Sequence, residues 1–125
     1  MASALNGTYS AYMYADRARA IITKHAASRE YREAKAPLFL YLAMHNVHGP
    51  LEAEDRVVNE YDESIYAARR TMDAMVTTAD ETLANVSAAL TEAGLATEAL
   101  FFVTSDNGGP IQEPGPKGHW SPGNK

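Results

Sequence analysis

Cysteine is absent from the 125 residues, which excludes disulfides, thiolate metal sites and a cysteine nucleophile within this sequence. Long apolar runs are missing too: none approaches the roughly 18 residues of a membrane-spanning helix. The segment Met1 to Ser10 has neither the basic n-region nor the apolar h-region of a signal peptide. Basic residues are few, 11 Lys+Arg against 16 Asp+Glu, and the net charge of −5 gives no clustered basic face for a nucleic acid or an anionic membrane. Proline and glycine are scarce until late. Of six Pro and eight Gly, four Pro and five Gly fall between Ser105 and Lys125, so that tail reads as loop. What remains, 46% apolar and 22% charged residues, is the composition of a globular chain, and the length fits one domain.

Upstream of the tail the apolar periods speak for structure. Tyr14, Ala18, Ile21, Ile22 and His25 recur at helical spacing and predict a helix over about 10–27. Ser28 to Ala36 reads as a charged connector. Residues 37–44, Pro-Leu-Phe-Leu-Tyr-Leu-Ala-Met, form a near-continuous apolar run suited to a strand buried on both faces. His45 to Ser64 reads as a long loop, a length uncommon unless the loop carries function. Ala68, Met72, Met75, Val76, Ala79, Leu83, Val86 and Leu90 then step along one stripe, with Gly94 placed as a C-terminal cap, so a helix is expected over about 65–93. Met72 and Met75 are read as core. Residues 99–104, Ala-Leu-Phe-Phe-Val-Thr, predict a second strand. Strand, helix, strand is a β-α-β unit; with the preceding helix it makes an α/β fold class, and too few strands for a complete α/β domain. The expectation is a single partial domain over 1–125 with no second domain.

Parallel strands bring their carboxyl ends to one sheet edge, where ligands bind. His45-Asn46-Val47-His48-Gly49-Pro50 follows the first run and Asp106-Asn107-Gly108-Gly109 the second. Asp106 and Asn107 offer hard oxygen donors suited to Ca²⁺ or Mg²⁺. Asp, Asn and Gly are equally the residues of a plain strand-ending turn. His48 is a candidate proton donor to an anionic substrate, histidine's ordinary pKa lying near 6.5, or a loop histidine held by backbone carbonyls. His45 reads as packing at the strand end. His45 and His48 lack the third ligand a zinc site needs, and His25 and His119 have no visible partner. Asn6-Gly7-Thr8 and Asn85-Val86-Ser87 match the N-glycosylation acceptor pattern, which arises often by chance.

The order of these motifs resembles the type I sulfatase family, and within it the arylsulfatase B-like (N-acetylgalactosamine-4-sulfatase-like) branch. The residues that carry the resemblance are Pro37 to Ala43, Val47-His48-Gly49-Pro50-Leu51, Met75 with Asp80 to Val86, and Phe101 to Gly109. The resemblance runs from about Tyr9 to Asn107 and implies an internal fragment of an alkaline-phosphatase-like α/β sandwich. It implies hydrolysis of sulfate esters, a sulfated carbohydrate or an aryl sulfate, through a formylglycine nucleophile made in a Cys/Ser-x-Pro-x-Arg motif, with Ca²⁺ or, in some members, Mg²⁺. Asp106 and Asn107 match the family's second pair of metal ligands, and His48 the histidine that contacts the sulfate ester.

Departures from the family pattern are as specific. The formylglycine motif and the first metal pair of adjacent Asp residues are absent. The family's active-site Lys has only Lys117 and Lys125 as weak matches. The 125 residues alone are therefore expected to be inactive. Relatives of this branch imply a lysosomal or secreted setting. The alternatives are a related phosphodiesterase or phosphonate hydrolase fragment, and a non-catalytic degenerate binding module.

Overall fold

Helix formation in this chain is organised by one long element. In the computed structural model, which describes residues 7–108, Ala67–Glu92 forms a 26-residue helix in which Ala, the best helix former, is the commonest residue. The order is α1 (Ser10–Ala27), α2 (Arg29–Ala34), α3 (Asp55–Val58) and α4 (Ala67–Glu92), followed by a 3₁₀ turn at Ala96–Glu98. Among the described residues no helix is long and apolar enough to cross a membrane.

The stop signal of α4 is local. Gly94 takes φ +72°, the left-handed conformation that glycine adopts at no steric cost. Its N–H donates to Thr91 O at 3.0 Å, and the Leu95 N–H reaches back to Leu90 O at 2.8 Å. That is a Schellman closure, and its usual apolar contact is present: Leu95 is buried and Leu90 packs against the same cluster.

The face that α4 buries runs through Ala74, Met75, Thr78, Thr82, Val86 and Ala89. This stripe lies beside the one read from apolar spacing; Val76 is exposed and Met72 only half-buried. Two threonines sit at its centre because their hydroxyls are satisfied within the helix. Thr78 Oγ1 donates to Met75 O at 3.0 Å and Thr82 Oγ1 to Thr78 O at 2.9 Å, so their methyls can face the core. α1 answers with Ala11, Ala15, Ala18 and Ile22, mostly small residues that let the two backbones approach. Thr82 Oγ1 also contacts Ala11 O at 3.2 Å, and Arg19 pairs with Glu92. Residue numbers rise together across these contacts, so α1 and α4 run parallel.

Two parallel helices need a connection that travels back along their length. Residues 38–46 supply it. Leu38, Leu40 and Leu42 pack on the Ala18–Ile22–Val86–Ala89–Leu95 cluster, whereas His45 and Asn46 reach Tyr14 and Tyr9 at the start of α1. Burial alternates strictly from Leu38 to Asn46, with Phe39 91% and Tyr41 81% exposed, the period of an extended chain lying on one layer.

This overturns the expected α/β fold class. The described residues contain helices and no strand, and neither 37–44 nor 99–104 belongs to a sheet, so the β-α-β unit is not formed. The physical reason lies in the layers. A strand buried on both faces needs a cover on each side and ladder partners on each edge. Here one helical layer covers one face of 38–46, and two short runs without further strands make at best a marginal pair. The expected connector at 28–36 instead holds α2, whose Ser28 side chain caps the Tyr31 N–H. The long loop contains α3.

Candidate functional site

The chain leaves the extended run at His45 and enters a loop held from three sides. Tyr14, on α1, places its hydroxyl 2.8 Å from His45 Nε2, with the two rings edge to face at 5.2 Å. Asn46 docks on α4, its amide nitrogen donating to Met75 O at 2.8 Å and to Thr78 Oγ1 at 2.9 Å. Tyr9, just before α1, accepts from Asn46 at 3.4 Å and donates to Glu52 O at 2.8 Å. His45 therefore packs at the end of the extended run against an aromatic ring.

Further along, Arg56 on α3 closes a charged knot. It donates to both Glu81 oxygens, at 3.2 and 2.9 Å, to Glu54 at 3.1 Å and to the Tyr12 hydroxyl. Tyr12 in turn donates to Glu81 at 2.9 Å, and the guanidinium lies 5.5 Å from the Tyr12 ring centroid. The hydrogen bond from Arg56 holds the Glu81 carboxyl below its ordinary range. Burial, and then the Glu81 carboxylate, push the Tyr12 phenol up to about 12. Three elements, α1, α3 and α4, are tied at this point.

His48 sits exposed at the apex of the pinned loop. Its Nδ1 lies 2.7 Å from Gly49 O; a carbonyl only accepts, so Nδ1 carries the proton. Nε2 makes no protein hydrogen bond among the described residues. In its neutral form it presents a lone pair, and in its protonated form an N–H donor.

Asp106 and Asn107 are exposed after the second apolar run. Asn107 Nδ2 donates to Gly108 O at 2.7 Å and Ser105 Oγ to Asn107 O at 2.6 Å, which fixes the amide and leaves Asn107 Oδ1 and the Asp106 carboxylate without protein hydrogen bonds among the described residues. No hydrogen bond joins either to His48, and no group of three or more potential metal-ligating His, Cys, Asp or Glu side chains forms among the described residues. Asn85 is exposed on α4, and His25 is half-buried with its ring 5.2 Å from Tyr31. Asn6, Gly109, Lys117, His119 and Lys125 lie outside the described residues. Sequence reading assigned no site role to Asn46, Tyr9, Tyr12, Tyr14, Arg56 and Glu81. Tyr12 and Glu81, 69 positions apart, carry no spacing signal that pairs them.

The Sulfatase family profile matches residues 5–125. The chain belongs to the sulfatase family. It is similar to mouse (Mus musculus) Arylsulfatase J, at 38% identity over 104 residues that cover 83% of this chain and 16% of that relative. No solved structure matches the chain. Members of that family hydrolyse sulfate esters and generally work with a bound metal ion. The donor chemistry of this chain fits such an ion in kind, since Asp106 and Asn107 both offer hard oxygens. In number it does not suffice: a calcium shell takes roughly six to eight oxygens, so these two furnish at most a part.

Proposed function

We propose that the chain supplies one part of a sulfate-ester hydrolase site: His48 as the catalytic contact to the ester, and Asp106 with Asn107 as ligands of a divalent cation, calcium by preference. The observation that carries the reading is His48 itself. Gly49 O holds its Nδ1–H, and the ring is exposed on a loop anchored by Asn46 to α4 and by Tyr9 just before α1. A sulfated carbohydrate or an aryl sulfate is the substrate class.

The chemistry follows from charge. When the S–O bond of a sulfate ester breaks, its electron pair collects on the leaving oxygen. Protonated His48 gives its Nε2 proton to that oxygen while Gly49 O, on the far side of the ring, keeps the imidazole oriented and stabilises the cation. Asp106 and Asn107 would hold part of a divalent ion, which when bound would add Lewis-acid polarisation of the sulfate oxygens. The attacking group is not among these residues: the sequence has no cysteine and no Ser-x-Pro-x-Arg. The 125 residues alone should therefore show no turnover of an aryl sulfate.

Calcium titration of the 125-residue chain, followed by amide NMR, tests the metal half. The expected result is a weak, saturable shift confined to the Asp106–Gly108 region and lost in Asp106→Ala. A response that survives that substitution overturns the assignment. So does aryl sulfate turnover by the unmodified 125-residue chain, if it is abolished by Asp106→Ala, for the claim that the chain is inactive alone.

A further inference from the structure

Asn46 stands two residues before His48, and its side chain turns inward. Met75 O is a mid-helix carbonyl, and it can only accept; the atom 2.8 Å from it is therefore the Asn46 amide nitrogen and not the amide oxygen. Thr78, fully buried beside it, gives its own proton to Met75 O and keeps its lone pairs for Asn46 at 2.9 Å. The two N–H bonds of the amide are thus directed at an acceptor pair built into the middle of α4, and the longer 3.4 Å contact to the Tyr9 hydroxyl shares one of them. Tyr9 then relays the anchor. It accepts from Asn46 at 3.4 Å and donates to Glu52 O at 2.8 Å, so one chain of hydrogen bonds joins residue 46 to residue 52. His48 lies within the segment so closed, and among the described residues its side chain hydrogen-bonds only to the neighbouring Gly49 O.

We infer that Asn46 is the positioning residue for His48: it fixes the segment 46–52 on α4, and through that segment the direction of the His48 imidazole. Asn46 does not touch substrate in this arrangement. Its donors face the helix, and an exposed loop cannot otherwise hold an imidazole in one orientation, because a single backbone contact to the next residue leaves the loop as mobile as its ends. The role given to His48 rests on the proposed function; the anchoring of 46–52 stands independently of it.

The test uses the full 125-residue chain and two NMR readouts, amide hydrogen exchange over 47–52 and the ¹⁵N shifts of the His48 ring, which report its tautomer. Asn46→Asp keeps the shape, removes both donors and sets a carboxylate against two acceptors. It should raise exchange over 47–52 by about tenfold or more and shift His48 from the Nδ1–H form toward the mixture of an unconstrained histidine. Protection in α1 and α4 should persist. Should Asn46→Asp unfold the chain, Thr78→Val and Thr78→Ser decide: valine removes the acceptor and should loosen 47–52, and serine restores it and should not. Unchanged exchange and an unchanged His48 tautomer in Asn46→Asp overturn the inference, as do equal effects of valine and serine at position 78. A parallel titration of the unsubstituted chain with an aryl sulfate separates the two claims. Silent His48 ring resonances there count against the sulfate role alone, with the anchoring judged by the exchange data.

Discussion

Removing Ile22 should cost a large part of the stability of this chain. Ile22 is 1% exposed and sits among Ala18, Val86, Ala89 and Leu95, where α1 meets α4. Ile22→Ala deletes three carbons, and at about 0.8 kcal/mol each the lost transfer energy is ~2.4 kcal/mol. A cavity term adds to this. It should be modest, because Leu38, Leu40 and Leu42 cover the cluster from a segment with no ladder to hold it and can settle inward. The total is about 3 kcal/mol, within the ~2–5 kcal/mol range of such truncations. For a chain of 125 residues that lowers Tm by roughly 9–18 °C. Thermal and urea unfolding followed by far-ultraviolet circular dichroism measure it, with an unchanged urea slope showing that the unfolded state is the same. Val76→Ala, at a position 49% exposed on α4, is the control and should stay within about 0.5 kcal/mol. Equal shifts for the two variants would refute the placement of the core between α1 and α4.

Other outcomes follow from the same contacts. Gly94→Ala, at φ +72°, should destabilise by about 1–2 kcal/mol through left-handed strain; a urea midpoint that does not fall argues against the Schellman end of α4. Alkaline ultraviolet titration should show one phenol ionising near 12, that of Tyr12, absent in Tyr12→Phe. In Glu81→Gln it should move down but not fully back, because burial, the larger cause, remains. Tyr12's folded value lies above its unfolded one, so its contribution holds below about pH 10 and fades as pH rises toward 12. For Glu81 the sign is opposite. Its carboxyl is depressed by Arg56, so the stabilisation holds above the ordinary carboxylate pKa of about 4.3 and is lost as pH falls through the folded value. The urea midpoints of the unsubstituted chain and Glu81→Gln should therefore converge in acid; a constant gap would contradict the knot.

Much of the helical frame is legible in the residues. The spacing of Ala18 and Ile22, and of Met75, Val86 and Leu90, points to helices where α1 and α4 lie, and Gly94 marks the end. The buried stripe is harder to read, because it passes through Thr78 and Thr82, which a reading of apolar residues skips. Only the back-bonds to Met75 O and Thr78 O explain their burial. The extended runs mislead for another reason. A near-continuous apolar stretch signals a strand covered on both faces, but whether a second layer is present is not written in the stretch. Phe39 and Tyr41 consequently stand exposed. At the site, motif order located His48, Asp106 and Asn107 as candidates, whereas the tethers that pin the loop depend on contacts between residues 29 to 43 positions apart and leave no local trace.

A chimera tests the functional reading most directly: the segment of mouse Arylsulfatase J that matches this chain, 16% of that relative, replaced by the corresponding 104 residues. The rest of the relative then surrounds these residues. Aryl sulfate turnover is the measurement, with circular dichroism to show that each variant is folded. The account predicts a turning-over chimera whose kcat falls by about 10²–10⁴ in His48→Ala. A folded, active chimera indifferent to His48→Ala would contradict it.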